Sequence, residues 1–317
     1  MKYRRVGASE LLVSEISLGS WLTLGQLVDP VTSRQCVRAA LDAGINFFDT
    51  ADVYGMGMAE QALRSALADV PRRRLLIGTK CFFPTSEASA DRGLSRKHVI
   101  ASVEKSLRNL GIETLDLMQC HRFDPETPLE ETVRAMDDLA RAGKIRYWGV
   151  SRWSPEQIER AMNCSAGSGR IGPIADQLPY SLLYHNEEEA FGALKALTVG
   201  VLIYSPLAQG VLSGKYGEGE PPPGTRATSA ELRRTMWAYD PQSFAKVARL
   251  HPIAAELGVS LAQLALAWCL RRDVVSTAIC GASSPGQILS NAAASEVTLS
   301  EEALDRIDAA IDARSAA

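Results

Sequence analysis

The chain has 317 residues, 46% of them hydrophobic, and a formal net charge of -3; that is ample for a large core and within the reach of a single α/β barrel. Acids and bases are scattered, with no basic run suited to nucleic acid or a membrane surface, and every apolar stretch is short and broken by charge, which argues against membrane insertion. The N-terminal segment lacks an apolar signal core, and the six cysteines show neither C-x-x-C spacing nor zinc-ligand spacing with histidine, so the expected setting is reducing and cytoplasmic, without a metal site or disulfide framework.

The elements follow in chain order. "YRRVGASELLVS" predicts a β-hairpin with a Gly-Ala-Ser turn, placed to plug the bottom of a barrel. "EISLGSW" predicts a first buried strand, followed by a helix from Thr32 to Ala43. "INFFDT" precedes a helix from Ala59 to Leu67, "LLIGTK" one from Arg96 to Leu110, and "LDLMQCH" one from Leu129 to Ala142. "IRYWGVS" leads to Pro155–Met162, and "PIADQ" to Glu187–Leu197. "GVLIYSP" is followed by an insertion between Ala208 and Asp240, whose "GEGEPPPGTRATS" reads as an exposed loop, and then by helices Pro241–Leu257 and Leu261–Leu270. "VSTAICGAS" precedes Pro285–Ala293, and "EEALDRIDAAIDA" closes the chain.

Continuous apolar runs of this length suit strands covered on both faces. Thr32, Ser95, Ser154 and Ser284 stand as helix caps, Pro155 and Pro285 at first-turn positions, and glycine ends several helices, as in "AGIN" and "AGKI". Eight strand-then-helix units predict one domain over residues 1–317 with an α/β, (β/α)8 TIM-barrel fold, an N-terminal β-hairpin and a long loop after strand seven. A doubly wound sheet would need a glycine-rich turn after its first strand; "GSWLTLG" fits that poorly, and the Gly-x-Gly of "YGMGMAE" is read as turn residues that position Tyr54.

Barrel sites form at the C-terminal strand ends. Those ends carry Gly19-Ser20-Trp21, Asp49, Lys80, His121, Ser151-Arg152, Gln177, Tyr204-Ser205, and Gly281 with Ser283, while Tyr54 sits just after strand two. Any one of these alone reads equally well as an ordinary strand-end polar residue; Asp, Lys, His and Tyr on successive strands point to chemistry. A phenol with an ordinary pKa near ~10 is a weak acid near neutrality unless a cation favours its phenolate. Lys80 is placed to do so, with Asp49 holding Lys80 charged and oriented, His121 donating to a substrate carbonyl oxygen and Tyr54 protonating that oxygen as hydride arrives at carbon.

At these residues the sequence resembles the aldo-keto reductases, through "FDTADVYGMGMAE", "IGTK", "LMQCHR", "GVSRW" and "YSPLAQGVLSGKY". It is most similar to the branch containing the potassium channel beta subunits, through "RGLSRKH", "TPLEETVRAMDDL", "YWGVSRWS", "LAWCLR" and "GASSPGQ". The resemblance implies an NADPH-dependent oxidoreductase reducing aldehydes or ketones to alcohols, with Asp49, Tyr54, Lys80 and His121 as the catalytic tetrad and NADH less favoured than NADPH. The alternative it carries is a nucleotide-binding regulatory subunit of the channel-beta type with little turnover; His121 stands where such subunits often have asparagine, which favours the reductase.

By the same resemblance, Gly19, Ser20, Trp21 and Asp49 border the cofactor, Tyr204 stacks on the nicotinamide, and Ser151, Arg152 and Gln177 hold its carboxamide side. Ser205, Pro206, Leu207, Gln209, Gly210 and Lys215 line the pyrophosphate, and Gly281, Ser283, Gln287 and Asn291 meet the adenosine end. Arg226 joins Ser283, Gln287 and Lys215 as candidates for the 2′-phosphate, within an insertion that closes over the cofactor as a lid. Ser290 and Gly286 depart from the acidic or polar residues usual there. Trp21, Phe82, Phe83 and Arg122 are expected to line the substrate pocket, and the resemblance allows a homo-oligomer.

Overall fold

The structure is a computed structural model and describes residues 1–87, 91–166, 171–217 and 219–312. A hairpin of β1 (Tyr3–Arg5) and β2 (Leu12–Ser14) opens the chain. Then β3 (Ile16–Gly19) leads to α1 (Pro30–Asp42), β4 (Phe47–Asp49) to α2 (Met58–Leu67), β5 (Leu76–Cys81) to α3 (Arg96–Leu110), and β6 (Leu115–Cys120) to α4 (Leu129–Arg141). The second half runs β7 (Ile145–Ser151), α5 (Pro155–Ala166), β8 (Ala175–Pro179), α6 (Phe191–Ala196), β9 (Gly200–Tyr204), α7 (Ala230–Arg233), α8 (Pro241–Glu256), α9 (Leu261–Leu270), β10 (Val275–Cys280), α10 (Pro285–Ala293) and α11 (Glu301–Asp312). Strands β3 to β10 pair in parallel and close into an eight-stranded barrel, β10 meeting both β9 and β3. This is the expected (β/α)8 barrel.

Two cores follow from the period-two alternation of the strands. Outward-facing residues such as Ile77, Met118 and Ile203 pack with the helices in one large apolar annulus. Inward-facing Phe47, Leu117, Ala175, Leu202 and Ile279 form a second cluster with Val6, Leu11 and Val13 of the hairpin. The hairpin therefore stoppers the N-terminal end of the barrel, and the opposite end remains available for a site. Gly78 makes room in this inner layer, since a Cβ there would lie 2.8 Å from the Phe47 ring.

Several sequence expectations shift. Helix α1 begins at Pro30 rather than Thr32, and its cap is Asp29, whose carboxylate accepts from the backbone N–H groups of Val31 and Thr32. The reason is local: Asp-Pro supplies both a strong capping carboxylate and a preset first-turn φ. Ser95, Ser154 and Ser284 do accept the predicted capping bonds. The helix expected over Glu187–Leu197 is split, with a 3-10 turn over Asn186–Ala190 before α6. The insertion after β9 is not only exposed loop: Ala227, Met236 and Ala238 are buried, and α7 lies within it. Residue 313 of the expected last helix lies outside the described residues. Among the described residues no single helix is long and apolar enough to cross a membrane; α8 and α9 together reach that length and composition but are bent by 91°.

Candidate active site

The C-terminal rim is built from left-handed turns. Leu22, Met56, Arg152, Ser205, Ala208 and Gln209 are non-glycine residues with positive φ, and all follow barrel strands β3, β4, β7 or β9. Such backbone costs about 1–3 kcal/mol per residue and concentrates where geometry serves a site.

Asp49 ends β4 and Lys80 lies on β5, both inward and both buried. The Lys80 ammonium donates to Asp49 Oδ2 at 2.6 Å, to the Thr50 carbonyl at 2.7 Å and to the Tyr54 hydroxyl at 3.4 Å, so its three donors all have acceptors. Burial pulls Lys80 down, but the charges of Asp49 and Tyr54 and their hydrogen bonds outweigh it and hold the amine above its ordinary range. The ammonium is thus charged throughout the neutral range.

For Tyr54, burial raises the phenol more than the Lys80 charge lowers it, and its pKa stands above the ordinary value. The expectation that Lys80 brings the phenol toward ionisation is therefore met only in sign, because burial disfavours the phenolate. The resulting species is a protonated phenol touching an ammonium, which is a proton donor.

His121, one residue beyond β6, packs its ring 6.0 Å from that of Tyr54 in an edge-on arrangement. Burial first, then the charges of Lys80 and Arg122, depress its pKa to about 2. It is a neutral imidazole with one N–H donor, and its Nδ1 is buried without a partner among the described residues. Phe83 sets its edge against His121 at 4.8 Å and against Phe82 at 5.3 Å, and the Arg122 guanidinium lies 5.5 Å from the Phe83 ring.

One interior residue escaped the sequence reading. Gln119 is fully buried, with its amide 3.3 Å from Asp49 Oδ1; it sits two residues before His121, the period-two spacing that places both on the inner face. Gln177 donates to the same Asp49 oxygen at 2.9 Å and to Gln119 Oε1 at 3.3 Å. Gln177, expected on the carboxamide side of the cofactor, thus also reaches into the barrel and braces Asp49. Glu187 pairs with Arg152 at 3.6 Å, and no sequence signal marked it.

Behind Tyr54 lies a second brace. Thr79 donates to Glu60 Oε1 at 2.8 Å and Asn109 to Glu60 Oε2 at 2.9 Å. Gly57 has φ +95° and its missing Cβ would lie 2.7 Å from the Asn109 amide nitrogen. Gly57→Ala is expected to cost about 1–2 kcal/mol from the left-handed backbone alone, read as a lower urea midpoint, and to reduce turnover by displacing the Tyr54 turn.

The opposite side of the rim gathers the residues expected to hold a dinucleotide. Ser151 donates to the Gln177 carbonyl at 2.9 Å, and the Tyr204 hydroxyl lies within the fields of Arg152 and Arg122. Gln209 donates to Ser205 Oγ at 2.9 Å while its Oε1 is buried and has no partner among the described residues. Gly210 lies against the Lys215 side chain, and Pro206 and Leu207 form the turn between β9 and this segment. Arg226 crosses from the insertion to lie 5.2 Å from the Trp21 ring. Neither Lys215 nor Arg226 pairs with a carboxylate among the described residues. Ser283 donates its N–H to Gln287 Oε1 at 2.9 Å, beside the N-terminus of α10, and Asn291 is buried one turn later. Gly19 and Gly281 line the seam between β3 and β10, and a Cβ at Gly281 would meet nothing closer than 3.5 Å. Two cations unpaired among the described residues, the N-terminus of α10 and an open backbone approach form a donor set that fits a phosphorylated dinucleotide. Ser20 donates its N–H to the Asp49 carbonyl at 2.9 Å, which ties this seam to the ion pair.

Comparison with known proteins agrees with the barrel fold. Residues 15–312 match the family model described as "Aldo/keto reductase family". Similar proteins include a probable voltage-gated potassium channel subunit beta of Oryza sativa subsp. japonica, 39% identical over 99% of this chain and 98% of the relative. One of the same description from Arabidopsis thaliana is 38% identical over 99% of this chain and 98% of its own length. A putative voltage-gated potassium channel subunit beta of Schizosaccharomyces pombe is 38% identical over 96% of this chain and 92% of its own length.

Proposed function

The chain belongs to the aldo/keto reductase family, and from that premise we propose that it is an NADPH-dependent oxidoreductase reducing aldehydes or ketones to alcohols. The observation that carries this reading is the Lys80 ammonium bridging Asp49 and the Tyr54 hydroxyl at the barrel mouth. A nicotinamide dinucleotide would supply the hydride, held by the residues around Tyr204, Ser205, Gln209, Lys215, Arg226, Ser283, Gln287 and Asn291. The protein supplies the rest. The neutral His121 N–H orients the carbonyl oxygen, and the Tyr54 hydroxyl delivers a proton to it. Lys80 stabilises the phenolate left behind, and Asp49, braced by Gln119 and Gln177, keeps Lys80 in place. Trp21, Phe82, Phe83 and Arg122 form the walls of a substrate pocket with few polar groups, the usual composition of small-molecule sites.

Titration of tryptophan fluorescence with NADPH and with NADH tests the cofactor without a choice of substrate. Tight quenching by NADPH with weaker quenching by NADH supports the proposal, and no response to either sinks it. Gln287→Ala is expected to weaken NADPH more than NADH, since Gln287 and Ser283 stand together at the α10 N-terminus; equal losses would move the 2′-phosphate elsewhere. The names of the similar proteins favour one second reading, a nucleotide-binding channel subunit with little turnover. It predicts cofactor quenching without NADPH oxidation across a broad panel of aldehydes and ketones.

A further inference from the structure

We propose that the carbonyl substrate of this site carries a carboxylate, and that Arg122 is the residue that selects it. The inference rests on the reductase reading and extends it to a substrate class.

The charges of the pocket support it. Lys80 is neutralised by Asp49 at 2.6 Å, Arg152 is paired with Glu187 at 3.6 Å, and His121 is uncharged. Arg122 is half-buried and pairs with no carboxylate among the described residues, so one positive charge in this wall stands uncompensated. Burying a cation without an anion is costly, and a bound anion offsets that cost. Burial pulls the Arg122 pKa down and Arg152 adds to that, against the opposing effect of the Tyr204 and Tyr54 hydroxyls.

Geometry defines the anion. The guanidinium donates from Nη1 to the His121 carbonyl and to Ser151 Oγ, and the Tyr204 hydroxyl also lies within its hydrogen-bonding reach. Two of its five N–H groups remain, enough for a carboxylate held by charge-assisted hydrogen bonds. The guanidinium carbon lies 5.5 Å from the centre of the Phe83 ring, and the same ring packs against His121. A substrate whose carbonyl oxygen meets Tyr54 and His121 therefore has an aromatic surface beside it and a cation within a few bonds. An aryl or short-chain oxo acid fits those three features. The adenosine end of the cofactor does not compete for this cation, because Arg122 follows β6, which stands across the barrel from β10 and the α10 N-terminus.

The test compares 4-carboxybenzaldehyde with methyl 4-formylbenzoate, two aldehydes of similar size and electronic character that differ in charge. The wild-type enzyme should favour the acid over the ester by about 10-fold or more in kcat/KM, the scale of one charge-assisted pair. In Arg122→Met that acid-to-ester ratio should fall to about one, and in Arg122→Lys it should be intermediate, because an ammonium keeps the charge and loses the fork. A wild-type ratio at or below one, or a ratio unchanged in Arg122→Met, overturns the proposal. Calorimetric titration with benzoate gives a readout free of turnover: binding lost in Arg122→Met supports the assignment, while equal binding by both proteins, or none by the wild type, overturns it. If no carbonyl compound at all is reduced, the reductase reading fails and benzoate still decides the role of Arg122. Should Arg122→Met fail to fold, Arg122→Gln carries the same comparison.

Discussion

Tyr54→Phe is expected to lower kcat by about 10²–10⁴-fold, the range typical of losing a positioned proton donor, while NADPH binding stays essentially unchanged. The phenol is the one group that combines an available proton with contact to a buried ammonium. Its hydroxyl lies 3.4 Å from Lys80 Nζ, and burial keeps it protonated at neutral pH. His121 cannot take over, because its imidazole is neutral down to about 2 and holds its remaining proton far too tightly to release. The pH profile should accordingly show no inflection belonging to an imidazole between about pH 5 and 8, where an unperturbed histidine would titrate. Single-turnover kinetics separates the two effects: full hydride-transfer rates in Tyr54→Phe would assign proton donation to another group.

Lys80→Met is expected to damage both turnover and stability. The side chain is fully buried and the Asp49 carboxylate is 4% exposed. Removing the ammonium leaves that carboxylate facing only the Gln119 and Gln177 amides. Breaking a buried pair in this way costs about 3–5 kcal/mol, which denaturant unfolding would register as a lower midpoint. Turnover should fall as well, since the Tyr54 phenolate loses its counter-charge. The double variant Asp49→Asn with Lys80→Met separates the roles. It removes both charges, so much of the stability should return while turnover does not. Recovery of turnover in the double variant would show that the pair serves the fold and not the chemistry. The sign of the pH dependence follows from Lys80. Its amine is raised in the folded protein, so its contribution is complete below the ordinary lysine pKa and is lost only as pH rises through the raised value.

Much of this arrangement was legible in the residues themselves. Eight apolar runs alternating with amphipathic segments define the barrel, because a strand covered on both faces must be apolar throughout and each crossover needs a helix. The strand ends then locate Asp49, Lys80, His121 and Tyr54, since the chain must leave the apolar layer where its polar residues begin. Even the hairpin stopper was readable, from its turn and its short apolar flanks.

Other features depended on three-dimensional packing. Gln119 looks like one polar residue in an apolar run until the register sets it opposite Lys80 and the closed barrel brings Gln177 to the same carboxylate. Arg226 reaches Trp21 across 204 intervening positions in sequence, a contact that local patterning cannot encode. The protonation states belong to the fold as well: a tyrosine raised by burial despite its lysine, and a histidine pushed down to about 2, result from desolvation. The sequence by itself determined the eightfold alternation and the identity of the polar residues at the strand ends, because periodicity and residue chemistry are local. The tertiary structure decided which of them touch, which charges remain unpaired and which protons are held, because burial and distance exist only after the barrel has closed.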